Sequence, residues 1–348
     1  MNNPMICELA RAVQHNCHIS DARHGADYSL CVYLMKMREY FRWEKQLPYG
    51  APLQKEQVGE WLQAREQLWE ELEEAELLPI EIAGERFDPF DAEGINRRLE
   101  PYGLVYSGGL GNKAKPHFFL GDLEQTKRKG EYFVFVVASE HARDLTAPPA
   151  MTRGNSIFLR RESLRRMLWE KLESWRWSRA DNALGRAFAC YDFENALDES
   201  LDAMTDREID AVLLHEQGEH EVGVRLGDDW NRMLMDLVYT PAELMARAVR
   251  DHLADCLTTL PALSEDGDEA PVHFYIGNLS NMRKEIFPGL RRAYVEWLSS
   301  GDTEALSAIA ELGRDHWERI AQAMMDLHRE GGPDQANRIQ ALVSDNYL

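Results

Sequence analysis

Apolar residues recur at helical spacing over most of the chain. Between about residues 26 and 45, Leu30, Leu34, Met37 and Phe41 form one stripe, widened by Tyr33 and Tyr40. The cluster Pro48-Tyr49-Gly50-Ala51-Pro52 ends it, because neither proline nor glycine supports a continuing helix. Residues 54–76 repeat the pattern, with Val58, Trp61, Leu62, Leu68, Trp69 and Leu72 set against a heavily acidic face. A first helix is expected to about His15, followed by a polar stretch from Cys17 to Gly25.

From about Leu77 the period shortens. Ile80-Glu81-Ile82, Gly103–Tyr106, His117–Leu120 and Tyr132–Val137 are short, β-branched or aromatic, and bounded by Gly, Pro or charges, which is how strands read. Asn155–Leu159 adds an edge strand. Helical spacing returns after Arg160, over 162–178, 182–198, 205–225, 228–238, 241–260, 280–299, 302–328 and 333–344, with one long acidic loop at Leu263–Pro271. The expected fold is mainly α: a helical body with a small antiparallel α+β insertion. Its parts are N-terminal helices at 1–76, a small α+β region at 77–160, and a C-terminal helical domain at 161–348 that packs with the N-terminal helices.

Charge and composition narrow the function classes. The formal net charge of −21 works against nucleic acid as the partner, because binding its backbone gains most from counterions released by Lys and Arg. It works equally against an anionic membrane, and no stretch reaches the roughly 18 apolar residues that span a bilayer. The N-terminus has no basic region followed by an apolar run, so no secretory leader is expected. The cysteines Cys7, Cys17, Cys31, Cys190 and Cys256 are scattered and form no C-x-x-C pair, which fits a reducing, cytoplasmic compartment.

Candidate chemistry concentrates in Ile209–Glu221. On a helix, Ile209, Val212 and Leu213 define a core-facing stripe that also contains Glu216 and His220. Glu219 falls at its margin and His215 outside it. An inward carboxylate and imidazole one turn apart must be paired, neutralised or bound to a cation, and helical bundles hold iron or manganese in this way. The zinc-protease motif fails on spacing, since His215 and His220 are one residue too far apart for it. The alternative is a mutually satisfied Glu216–His220 pair.

Further ligands would come from elsewhere. His24 and Asp27 lie one turn apart, beside Cys17-His18, which would suit a softer metal, and Asp21. His252 is spaced for a shared face with Asp255 and Cys256, and Glu285 and His316 are further candidates. Two weaker signals lie in the α+β part. The loop Ser107–Lys115 offers backbone N–H groups and lysines to an anion, and His141 with Asp144 suggests acid/base work. Arg160, Arg161, Arg165 and Arg166, followed by Trp169 and Trp175, make a basic run that is expected to meet an acidic surface of its own chain.

The leading reading is a metal-dependent helical enzyme acting on a small-molecule substrate. Glu216 and His220 are its ligands, His215 and Glu219 secondary groups, and His24, Asp27 or His252 complete the site. Iron or manganese suits this donor set, with zinc as a further option. The rival is a non-catalytic binding or assembly protein, in which the acidic helix and the Arg/Trp helix meet in a homo-oligomer. The pieces Cys17–His24 and His215–Glu221 resemble those of an uncharacterised bacterial protein family of similar length, a resemblance that implies no activity or catalytic residue.

Overall fold

The architecture comes from a computed structural model that describes residues 3–111, 114–130 and 132–348. It divides into two units, Met1–Glu173 with Ala196–Thr205, and Ser174–Asn195 with Asp206–Leu348.

The first unit opens with three helices, α1 (Asn3–His24), α2 (Leu30–Glu44) and α3 (Lys55–Leu72). Helix α1 runs straight through the stretch expected to be polar and irregular. Its polar side chains turn inward and are satisfied there: Asn16 exchanges two hydrogen bonds with the backbone of Leu78, each 2.8 Å, and Ser20 donates to the Pro116 carbonyl. Buried polar groups with partners are compatible with a helix interior, and the apolar stripe alone cannot reveal them.

A two-stranded antiparallel ribbon follows, β1 (Ile80–Ile82) with β2 (Glu85–Phe87), then α4 (Ala92–Leu99). The main sheet contains β3 (Leu104–Leu110), β4 (Pro116–Lys129), β5 (Tyr132–Arg143), β6 (Ala150–Arg153) and β7 (Ser156–Arg160), in the order β3-β4-β5-β7-β6. This corrects the expected small antiparallel insertion in two respects. The sheet is larger, because β4 continues into polar, exposed residues and β5 into a stretch where buried Glu140 and Arg143 are polar, so neither extension carries apolar alternation. It is also mixed, because β7 pairs parallel with β5. Nor is β7 an edge strand: Ile157, Phe158, Leu159 and Arg160 are all buried, the unbroken burial of an interior strand, and the half-buried β6 takes the edge.

Helix α5 (Arg161–Ser178) crosses from the first unit into the second, and α7 (Leu197–Asp236) gives its first turns to the first unit. The second unit adds α6 (Ala183–Ala189), α8 (Pro241–Leu257), α9 (Thr259–Asp266), α10 (Glu269–Asn278), α11 (Asn281–Ile286), α12 (Pro288–Ser300), α13 (Glu304–Glu330) and α14 (Gln335–Ser344). Helix α7 breaks at Gly227, at φ 67°, where the sequence divides two helical stretches. The long loop expected at 263–271 is instead a two-residue joint. Gly267 closes α9 in the left-handed region, and the Asp268 side chain caps α10 by accepting from Ala270 N. Among the described residues, no helix is long and apolar enough to cross a membrane.

Candidate metal centre

In the second unit α7 and α8 approach closely at Gly218, where an added Cβ would lie 2.5 Å from the Ala254 carbonyl oxygen and 2.6 Å from Thr258 Oγ1. Thr258 ties the two helices by donating to Leu214 O at 2.7 Å. Gly218→Ala would gain about 1 kcal/mol of helix propensity, but it forces backbone apart in a packed interface, a change of about 1–3 kcal/mol in the other direction. The expected outcome is therefore net destabilisation of up to about 2 kcal/mol, read as a lower denaturation midpoint with an unchanged slope.

This close approach sets His215 and Glu219, one turn apart on α7, against Asp251 and Asp255, one turn apart on α8. One ligand atom each from His215, Glu219 and Asp251 lies within 4.8 Å of the others. His215 Nδ1 is 2.7 Å from Asp255 Oδ1, and its Nε2 is 3.4 Å from Glu219 Oε1. Asp255 is itself held, accepting from Tyr275 Oη at 2.9 Å and from Arg283. Arg250 donates to Glu219 at 2.6 Å and to Asp251 at 3.2 Å.

Charges balance inside this group. Burial opposes ionisation of His215, but Asp255 and then Glu219 outweigh it and hold the imidazolium well above the ordinary histidine range. Burial likewise opposes the Glu219 and Asp255 carboxylates. Arg250, ahead of His215, holds Glu219 low, and Arg283, ahead of His215, holds Asp255 low. Asp251 is pushed upward by burial, with Arg250 opposing and Glu219 adding. Three cations (His215, Arg250, Arg283) thus face three carboxylates (Glu219, Asp251, Asp255).

Of the ligands expected from the sequence, the structure brings His215 and Glu219 together. Glu216 is buried and His220 half-buried, and neither belongs to the converging group. His252 is buried on α8, but its Nε2 is 2.9 Å from the Arg283 carbonyl and its ring stacks on Trp317. Burial first, then Arg283, pushes it well below the ordinary range, so it is a neutral core histidine. His316 contacts the Asn346 carbonyl, and Tyr347 Oη donates to Glu285. Sequence reasoning missed Asp251 and the supporting Arg250, Tyr275 and Arg283. The available signal was a histidine–glutamate pair and an aspartate pair, each at one-turn spacing on successive helices, read together rather than one residue at a time.

His24 and Asp27 belong to the first unit, where they pair with each other at 3.2 Å. Cys17 and His18 do not form a soft-metal pair. The buried Cys17 thiol donates to Phe118 O, and His18 accepts from Trp69 Nε1 and lies beside the Arg65 guanidinium. The histidine–aspartate pairing of the α+β part is also rearranged. His141 contacts Asp122 at 2.8 Å, while Asp144 pairs with His117 at 3.0 Å, because neighbouring strands supply the partners. Of the anion loop, Ser107–Leu110 is strand, Asn112 and Lys113 lie outside the described residues, and Lys115 is buried on Asp21 at 2.9 Å. The basic run finds partners within the chain: Arg160 with Glu140, Arg161 with Glu124, Arg165 with Asp198 and Asp202, and Arg166 with Glu170.

Residues 8–160 match the N-terminal domain, and residues 165–346 the C-terminal domain, of a family of unknown function, DUF6866. The chain belongs to the DUF6866 family. No curated protein and no solved structure matches it. Within the family's two-part layout, the whole group of His215, Glu219, Asp251 and Asp255 lies in the DUF6866 C-terminal domain.

Proposed function

We propose that this chain is a metal-dependent helical enzyme whose divalent cation is held by His215, Glu219 and Asp251. The observation that carries the reading is the convergence of one imidazole and two carboxylates from two helices, with the far nitrogen of the imidazole fixed by Asp255. A carboxylate on the second ring nitrogen is how proteins orient a metal-binding histidine and raise its basicity. The N/O donor set suits iron or manganese, with zinc as a further option.

The surrounding residues have definite tasks in this reading. Tyr275 and Arg283 hold Asp255, and Asp255 keeps the proton on Nδ1 so that Nε2 is the ligating atom. A bound cation would supply acidification of a water or binding of O₂. Without it, the second proton of His215 and the Arg250 guanidinium supply the positive charge beside Glu219. Metal entry must displace that proton and loosen Arg250, so affinity falls as the pH is lowered.

The test is metal content of untagged full-length protein, by mass spectrometry, after anaerobic isolation and after loading with iron, manganese or zinc. Near-stoichiometric metal is expected, falling at least tenfold in His215→Ala and Glu219→Gln and unchanged in Glu216→Ala and His220→Ala. Protein that stays metal-free after loading, or variants that load like the parent, would overturn the reading. The assembly alternative is weaker, because the arginines it needs already engage acids of their own chain.

A further inference from the structure

The first unit carries an open cavity of about 790 Å³ lined by α1, α2, β5 and α5. Its size is that of a small-molecule site, and arginines dominate its polar wall. Most of them are committed. Arg42 donates to Glu39 and to two backbone carbonyls, Arg165 to Asp198 and Asp202, and Arg166 to Glu170 and the Thr146 and Ala147 carbonyls.

Arg143 is the buried exception; Arg11, which also lines the wall, is exposed. Arg143 is 2% exposed, its Nε has no hydrogen-bond partner, and its one long contact is Nη2 to the Glu39 carbonyl at 3.5 Å. Among the described residues no carboxylate forms an ion pair with its guanidinium, and the negative charges that act on it from further off are Glu140 and Glu162. Its position is nevertheless fixed, flat over Trp43 with 4.6 Å from guanidinium carbon to ring centre, and Trp43 in turn stacks on Tyr40. A buried guanidinium whose hydrogen-bond donors are unmet is unfavourable. A rigidly held planar guanidinium facing a cavity is suited to receiving an oxyanion.

We propose that this cavity binds a small organic monocarboxylate, its carboxylate seated on Arg143. The charge count selects one negative charge rather than several. Four glutamates, Glu39, Glu44, Glu140 and Glu162, line the same cavity, and the first three are already matched by Arg42, Arg65 and Arg160. The one buried, uncommitted guanidinium receives one carboxylate, whereas a phosphate dianion or a tricarboxylate would bring further negative charge into a wall that already carries four glutamates. The apolar side of the wall, formed by Trp43, Leu47, Pro48 and Tyr49, accommodates a hydrocarbon or aromatic body.

Calorimetric titration of the full chain at low salt with acetate, hexanoate, phenylacetate, inorganic phosphate and citrate tests this. Hexanoate or phenylacetate is expected to saturate one site, at least tenfold more tightly than acetate, phosphate or citrate. Arg143→Met is expected to weaken that binding at least tenfold, and Arg143→Lys to lie between the two. Absence of saturable carboxylate binding, stronger binding of phosphate or citrate, or full affinity in Arg143→Met would each overturn the proposal.

Discussion

Asp255→Ala is expected to destabilise the second unit by about 3–5 kcal/mol, the usual loss when one member of a buried ion network is deleted. Asp255 is 1% exposed and accepts from Arg283, Tyr275 and His215 at once. Truncation leaves the Arg283 guanidinium and the His215 imidazolium facing a hole. Arg283 keeps only a long contact to Tyr275 Oη, at 3.3 Å, and the contact to the His252 ring, at 3.5 Å. Asp255→Asn retains the volume and one acceptor, so its loss should be smaller. Denaturant unfolding at neutral pH, followed by circular dichroism, measures both. A loss below about 1 kcal/mol for the alanine variant, the range of an exposed ion pair, would show that the cations re-pair within the cluster and that Asp255 is not its anchor.

Acidification should weaken the first unit through His18. Burial first, and then Arg65, lowers its pKa to about 3. The unfolded chain binds a proton near pH 6.5, and the folded chain resists it. The sign follows directly. The full contribution of His18 is present above about pH 6.5 and is lost as pH falls toward the folded value, by about 1.4 kcal/mol per pH unit from this one site. His18→Gln keeps an acceptor for Trp69 and removes the titration. The expected result is that wild type loses stability faster than the variant between about pH 6 and 4. Parallel stability–pH curves would show that Arg65 and Trp69 move away and admit the proton.

Legibility differed by element for identifiable reasons. Helices α3, α5, α13 and α14 present ordinary amphipathic stripes, and their spacing exposes them. The continuation of α1 to His24 was hidden, because Asn16, Ser20 and Asp21 are buried by polar contacts with distant backbone or with Lys115, which no local pattern encodes. Strand β6 is short and half-buried, and the far half of β4 is polar and exposed, so neither carries alternation. In the second unit, His215 lies outside the helical stripe because it faces α8 rather than the general core. The separation of its partner Asp255 by 40 residues is set by the α7–α8 contact at Gly218. Gly218 itself is visible in the sequence, but its lack of a side chain acquires a purpose only with Ala254 beside it.

The Arg160–Glu140 pair bears on how the mixed sheet avoids misalignment. Both side chains are completely shielded, and they join the two strands that run in the same direction, with the bond at 2.8 Å. Sliding β7 by one residue would move Ile157 and Leu159 to the opposite face of the sheet, as any such slip does.

 It would also strand a guanidinium and a carboxylate apart in a dry interior, a penalty that apolar strands alone cannot impose. The alignment of the parallel pair is thus guarded by charge as well as by shape, and an uncharged, isosteric replacement of both residues would leave a sheet freer to settle in the wrong frame.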